Sequence, residues 1–302
     1  MPSPAFAQLP PMDFAAMVAA EKAAVANYKR PDVSVAQVSI PTQGGRQIPA
    51  RVYTPNDPSA RTSTVVWFHG GAFVFGGLDM AEAENVAFEL AKRTGSIVVS
   101  VDYWLVTDDV RFPVPQQDGL TALQWVIANA ARLGATNSKV FVGGASAGAC
   151  LAGSVALLAR DRGIHLDGVL PIYPVAHFAA PQFSPEFLAI LPEFEIAFAT
   201  IMGSVHNPWL IEGADAAELA TWHAFPGDTA DQSGQAPYLV IHAELDGLRD
   251  SGQRWTQQLR QGGVLLTEHV IPGAMHGFLN RNPDTDDQMQ QALTWMAEFI
   301  GA

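Results

Sequence analysis

Residues 139–153 read KVFVGGASAGACLAG, and this stretch decides the fold. It begins like a strand, becomes rich in glycine and alanine, and favours a helix after Ser146. A serine between a strand and a helix, with glycine two positions before and two positions after it, is typical of a nucleophile elbow. Gly144 and Gly148 would let the strand and the helix approach closely on a strained turn. The motif therefore predicts an exposed, reactive hydroxyl on Ser146.

Other interpretations of this stretch exist. For GASAG alone, a purely structural turn stays open, because glycine-rich turns are common between strands and helices. A phosphate site is excluded, since no GK[ST] follows and the glycines lack GxGxxG spacing. Residues 140–159 carry no formal charge, but the glycine-rich turn leaves too few helical residues to cross a bilayer.

Short apolar runs alternate with helical periodicity along most of the chain. Runs such as TVVWF (64–68) and SIVVSV (96–101) are apolar at consecutive positions, as in parallel strands covered by helices on both faces. The pattern predicts an α/β fold with a mostly parallel, eight-stranded sheet whose first two strands form an antiparallel edge hairpin. We expect the strands at residues 35–40, 47–53, 63–68, 96–101, 140–143, 168–173, 238–243 and 265–271. We expect helices at residues 80–93, 116–133, 146–160, 249–261 and 284–300.

Two segments depart from this alternation. Residues 1 to about 30 show helical spacing after a proline-rich start, and residues 176–231 form a long insertion without a strand-like run. An ordinary connection between strands needs far fewer residues. The insertion is therefore predicted to be a lid over a site or a small subdomain.

A second glycine-rich motif, HGGAF (69–73), follows the third predicted strand. Small residues in such a loop can aim their N–H groups at one point, which is what the oxyanion of acyl transfer requires. We expect Gly71, Ala72 and Ala147 to supply these donors. Taken alone, the string could also be a tight surface turn, and His69 is expected to fix the loop rather than act as a base.

The remaining catalytic candidates follow the last two predicted strands. Asp246 lies in HAELDGLRD and His276 lies in PGAMHGF. From these positions an imidazole can reach the Ser146 hydroxyl, and a carboxylate can orient the imidazole. Glu244 and Asp250 are alternatives to Asp246, although the first is close to the strand and the second has the position of a helix-capping charge. The other histidines lack a supporting motif and are expected to be structural or solvated.

Composition limits the class of protein. The chain has 302 residues, of which 48% are apolar and 16% charged, as is typical of globular proteins. Its net charge of −13 disfavours nucleic acid and membrane surfaces as partners. A single cysteine, Cys150, and the absence of a signal-peptide pattern at the start predict a cytoplasmic location. No HExxH, CxxC or clustered carboxylate pattern indicates a metal, and no cofactor is expected.

The motifs HGGAF, VDYWL with RFPVP behind it, GASAG, DGLRD and HGF resemble, in this order, those of the α/β-hydrolase family. More narrowly, the chain resembles the bacterial hormone-sensitive lipase-like esterases over nearly its whole length. The resemblance implies a catalytic triad of Ser146, Asp246 and His276. The sequence departs from the usual family pattern at Ala145, where an acidic residue is common, and at Gly247, where proline is frequent.

The resemblance also implies a domain organisation and an assembly. We divide the chain into N-terminal cap helices with their lead-in (1–44), the first part of the catalytic core (45–175), the cap insertion (176–231) and the second part of the core (232–302). Relatives in this family are commonly homodimers, and a homodimer is expected here.

The residues favour a serine hydrolase that cleaves carboxylic esters through an acyl-enzyme intermediate. An apolar cap favours small-molecule esters with short or medium acyl chains or aryl groups. An amidase, a formamidase or a specialised pathway hydrolase with the same triad stays open. So does a non-catalytic small-molecule receptor on the same scaffold. Receptors that resemble this family lack the working histidine, whereas His276 is present.

Overall fold

A mixed sheet organises the protein. The computed structural model describes residues 28–135, 139–179 and 182–301, together with residues 19 and 23. The strands in these ranges are β1 (Val33–Pro41), β2 (Gln47–Pro55), β3 (Ser63–Phe68), β4 (Ile97–Val101), β5 (Lys139–Ala145), β6 (Gly168–Ile172), β7 (Tyr238–Leu245) and β8 (Leu266–Met275). Their order in the sheet is β1-β2-β4-β3-β5-β6-β7-β8. The pairs β1–β2 and β2–β4 are antiparallel and the others are parallel, so the predicted sheet and its edge hairpin are confirmed.

Helices connect the strands. They are α1 (Ala81–Thr94), α2 (Val114–Leu133), α3 (Ala147–Asp161), α4 (Pro185–Leu188), α5 (Glu193–Ile201), α6 (Asn207–Leu210), α7 (Ala216–Thr221), α8 (Arg249–Gln261) and α9 (Asp287–Gly301). Two 3₁₀ turns (Pro58–Ala60 and Pro226–Asp228) and one π-helical turn (Met202–His206) complete the regular structure of the described ranges. Among the helices described, none combines the length and the apolar character that a membrane span requires.

Helices cover both faces of the sheet, as the consecutive apolar residues predict. Every position of β3, β4 and β6 is buried. Because side chains alternate along a strand, Val66 and Phe68 of β3 enter the core beneath α2, α3 and α8. Val65 and Trp67 enter the second core, beneath α1 and α9. The sheet is therefore a rigid platform, and the loops at one edge of it carry the candidate site.

The last strand is longer than predicted. The sequence indicates an end before Pro272, but β8 continues to Met275. A bulge between Ala243 and Leu245 of β7 lets Leu245 pair with Met275 beyond the proline. Proline is tolerated because β8 is the edge strand of the described sheet. His276 consequently follows directly on a strand.

The segment between β6 and β7 is the predicted insertion. Its described residues, 176–179 and 182–231, contain only short helices and loops. Ala199 of α5 and Met202 of the π turn pack against Leu248, which follows β7. The insertion therefore lies on the loop that carries Asp246. The predicted N-terminal helices lie outside the described residues, apart from residues 19 and 23, which are helical.

Candidate active site

Ser146 occupies a sharp turn between β5 and α3. Its backbone has φ 55° and ψ −116°, a conformation that costs energy for a residue with a side chain. The Ser146 N–H donates to the carbonyl oxygen of Ile172 at 3.0 Å and ties the turn to β6. The predicted helix start at residue 146 is therefore one position early, because Ser146 precedes the helix.

The glycines that flank the serine are required by close packing. A Cβ atom at Gly148 would contact the carbonyl oxygens of Phe68 and His69, at the end of the neighbouring strand. A Cβ atom at Gly144 would contact the carbonyl oxygen of Gly148 itself. The strand and the helix thus approach as closely as the elbow motif predicts.

The Gly148→Ala variant is expected to lower the free energy of unfolding by about 1–3 kcal/mol, because a backbone cannot move away from the added methyl group as a flexible side chain could. This cost exceeds the gain in helix propensity of about 1 kcal/mol. Gly44→Ala is the matched control, since its added Cβ has no atom within 4 Å. Unfolding in urea measures both variants. An unchanged midpoint for Gly148→Ala would contradict the close approach.

The structure brings together the three residues predicted as a triad. Ser146 Oγ lies 2.8 Å from His276 Nε2, and His276 Nδ1 lies 2.8 Å from Asp246 Oδ2. With a neutral imidazole protonated at Nδ1, the hydroxyl donates to Nε2 and Nδ1–H donates to the carboxylate. The second oxygen of Asp246 accepts the N–H of Leu248 at 2.7 Å. Asp246 is almost fully buried, so its carboxylate is held in one orientation.

The two alternative carboxylates point to other partners. Glu244 Oε2 accepts the N–H of Gly273 at 2.7 Å. Asp250 lies 3.4 Å from Arg254 and accepts the N–H of Gln182 at 3.3 Å. Asp246 is therefore the carboxylate that contacts the imidazole.

The charge balance around His276 favours its protonated form. Burial alone would lower the pKa of this imidazole, but the charge and hydrogen bond of Asp246, together with the charges of Glu195 and Glu82, raise the pKa to about 9. The site thus stabilises an imidazolium, which is the species that forms when the serine proton is transferred.

The HGGAF loop lies in a backbone conformation that few residues adopt. Gly71, Ala72 and Phe73 have φ values of 103°, 51° and 62°. The N–H groups of Val74 and Phe75 donate to the Gly71 carbonyl oxygen at 2.9 and 3.0 Å, which closes the turn. Within the described part of the chain, the N–H groups of Gly71 and Ala72 donate to no protein acceptor. Both groups are therefore available to an oxyanion, and their binding of one stays a prediction.

The third expected donor, Ala147, begins α3. The N–H groups of the first helical turn have no partner within their own helix, and the positive end of the helix dipole lies there. Its position directly after Ser146 agrees with the expected role. The role of all three donors in catalysis remains a prediction.

A buried carboxylate from outside the predicted motifs helps to hold this loop. Glu82 of α1 is buried, and its carboxylate accepts the N–H of Gly70 at 2.6 Å and the hydroxyl of Tyr173 at 2.7 Å. Burial raises the pKa of Glu82. His69 stacks on Tyr103 with ring centroids 4.5 Å apart, as expected of a loop-fixing residue. No local signal marks Glu82, since an acidic residue in the first turn of a helix resembles an ordinary capping charge.

The insertion contributes a histidine to the same loop. His206, in the π turn, donates through Nε2–H to the carbonyl oxygen of Ala72 at 2.8 Å. Burial lowers the pKa of His206 to about 4, so the ring is neutral near neutral pH. His206 is structural, as expected, but its contact with the oxyanion loop could not be deduced from any motif.

Other candidate centres are not supported by the geometry. His177, His223 and His242 form hydrogen bonds with Ser251, Asp161 and Glu268, respectively, and so act as structural residues. In the described ranges, no three His, Cys, Asp or Glu side chains are grouped so that they could hold a metal ion.

Comparison with known proteins finds relatives of this chain among hydrolases. A family model for the alpha/beta hydrolase fold matches residues 65–280. The carboxylesterase NlhH of Mycobacterium tuberculosis is 34% identical over 256 residues, which cover 83% of this chain and 77% of NlhH. The ethyl acetate hydrolase of Pseudomonas putida is 29% identical over 278 residues, which cover 88% of this chain and 82% of that protein.

A solved structure gives the same result. The esterase of the hyperthermophilic archaeon Pyrobaculum calidifontis matches with a TM-score of 0.77 and 32% identity, covering 96% of this chain and 93% of that chain.

Proposed function

Because this chain belongs to the hormone-sensitive lipase-like branch of the α/β-hydrolase family, we propose that it hydrolyses small-molecule carboxylic esters through an acyl-enzyme formed on Ser146. One observation carries the proposal. An unbroken chain of hydrogen bonds runs from the Ser146 hydroxyl through His276 to Asp246, with 2.8 Å at each step. This arrangement can remove the serine proton and stabilise the resulting imidazolium.

The first half of the reaction forms the acyl-enzyme. Ser146 Oγ attacks the ester carbonyl carbon, its proton passes to His276 Nε2, and the carbonyl π electrons move onto oxygen. The N–H groups of Gly71, Ala72 and Ala147 bind this oxyanion. When the carbonyl double bond re-forms, the bond to the alcohol oxygen breaks. The alcohol leaves with the proton from Nε2.

The second half releases the acid by the same route. A water molecule attacks the acyl carbon and gives one proton to His276 Nε2. The tetrahedral intermediate then collapses and breaks the bond to Ser146 Oγ, which takes the proton back from Nε2. The carboxylic acid departs and the enzyme returns to its initial state without any cofactor.

The surroundings of the site support apolar substrates. The rings of Phe198 and His276 lie with centroids 5.7 Å apart, so the insertion presents an aromatic side chain to the catalytic imidazole. We propose that residues 176–231 are the cap and that this wall favours acyl or aryl groups. Relatives are named for ethyl acetate and for aryl esters.

A series of p-nitrophenyl esters of increasing acyl length, measured beside matching anilides, tests this function. We expect kcat/KM to be highest for short to medium chains and to fall at least ~10-fold for long chains. Anilides should react much more slowly than esters. Faster cleavage of anilides would instead indicate an amidase with the same triad. Binding of a ligand without turnover of any substrate would indicate a receptor.

A further inference from the structure

A second carboxylate lies next to the triad and comes from the insertion. Glu195 is on α5, and only 2% of its surface is exposed. Burying a charged side chain is costly unless partners compensate, so such a residue requires an explanation. The proposed reaction cycle assigns it no role.

The partners of Glu195 are on the loop that carries Asp246. Glu195 Oε2 accepts the N–H of Gly247 at 3.1 Å, directly after Asp246 in the chain. A Cβ atom at Gly247 would contact the carbonyl oxygen of Glu195 and lie 2.9 Å from the Ala199 side chain. The helix and the loop are thus in direct backbone contact, and the position requires glycine.

The same helix faces the histidine loop. Phe198 packs near the His276 ring. The backbone N–H of His276 interacts with the Glu195 carboxylate, and this interaction lowers the pKa of Glu195. Burial and the charge of Asp246 act in the opposite direction and raise the pKa of Glu195 to about 6. Glu195 is therefore ionised above about pH 6 and adds to the negative charge that acts on His276.

We propose that Glu195 is a positioning residue for the Asp246–His276 pair. Its carboxylate holds the loop that carries Asp246 through Gly247 N–H, and it supplies a second negative charge for the imidazolium. This inference rests on the proposed hydrolysis by the triad. The insertion would then do more than cover the substrate, because it also contributes a negative charge that stabilises the imidazolium of His276.

The role of His276 as a base determines how the pH profile of kcat/KM should change when the charge of Glu195 is removed. His276 must be neutral to accept the serine proton, so kcat/KM rises with pH through the pKa of His276. The groups that raise this pKa are Asp246 from the loop after β7, Glu195 from α5 and Glu82 from α1. Removing the charge of Glu195 alone lowers the pKa of His276. The acid limb of the profile then moves to lower pH while the plateau falls.

The Glu195→Gln variant tests the inference. Glutamine keeps the shape and one oxygen for Gly247 N–H but removes the charge. We expect the acid limb of kcat/KM to move down by about one pH unit and the plateau rate to fall by about tenfold. Glu193→Gln is the matched control, because Glu193 lies on the same helix and is exposed. It should leave the profile unchanged.

A measurement without turnover separates this inference from the proposed function. NMR titration of the His276 ring protons in the wild type should show a second inflection near pH 6, where Glu195 ionises. That inflection should be absent in Glu195→Gln, and the main titration should lie at lower pH.

Each outcome has one meaning. Identical His276 titrations in the two proteins would overturn the role of Glu195, even if both cleave esters. Failure of the wild type to cleave esters would overturn the proposed function, whereas the titration would still decide whether Glu195 acts on His276.

Discussion

The Ser146→Ala variant is expected to lose about 10⁶-fold in kcat for ester hydrolysis, as is typical when the nucleophile of a triad is removed. The serine oxygen is the atom that forms the acyl-enzyme, and His276 has no other hydroxyl within hydrogen-bond distance among the described residues. The backbone should be unaffected, because alanine keeps the Cβ atom and strains the turn at φ 55° to the same degree. Rate measurements with a p-nitrophenyl ester, beside circular dichroism of the variant, check this result.

Ser154→Ala is the matched control for the nucleophile. Ser154 is a buried serine on α3, the helix that follows Ser146, and its hydroxyl donates to the carbonyl oxygen of His223 at 2.6 Å. Its loss should cost about 1 kcal/mol of stability and leave kcat/KM nearly unchanged. Covalent labelling by a fluorophosphonate provides a second readout, since only a protein with Ser146 should gain the mass of the label. Undiminished turnover in Ser146→Ala would refute the assigned nucleophile.

The fold class and the chain order of the site residues could be predicted from the sequence, because both depend on local patterns. Consecutive apolar residues in β3 and β4 predicted a sheet covered on both faces, and GASAG predicted a strand, a turn and a helix. The predicted family and fold class are confirmed by the family match and by the related esterases. The three motif residues meet because the carboxyl ends of parallel strands lie at one edge of a sheet.

The supporting residues could not be found in the same way. Glu82, Glu195 and His206 contact Gly70, Gly247 and Ala72, which are 12, 52 and 134 positions away in the chain. No periodicity or motif encodes such partners, because they are set by how the insertion and α1 pack onto the sheet edge. The extension of β8 beyond Pro272 was missed for a related reason, since it depends on a bulge in the neighbouring strand.

The Asp246→Asn variant is expected to lower kcat by about 10⁴-fold, and the reason lies in the two hydrogen bonds of the carboxylate. Oδ2 accepts Nδ1–H of His276 at 2.8 Å, and Oδ1 accepts the N–H of Leu248 at 2.7 Å. An asparagine has one acceptor oxygen and one donor NH₂ group, so it cannot satisfy both donors. If the oxygen faces Leu248, the NH₂ group faces His276 and favours the tautomer protonated at Nε2. That tautomer cannot accept the proton of Ser146.

Loss of the charge acts on His276 in addition to the change of tautomer. Because Asp246 is the largest contribution that raises the pKa of His276, the imidazole in Asp246→Asn should be neutral at lower pH than in the wild type. On the alkaline plateau the imidazole is neutral in both proteins, so a change of its pKa alone would leave the rate unchanged there. The low rate expected on that plateau therefore reports the change of tautomer. Asp250→Asn is the control, because Asp250 pairs with Arg254 outside the triad, and its kcat should stay within a few-fold of the wild type. Equal losses in the two variants would contradict the assignment of Asp246.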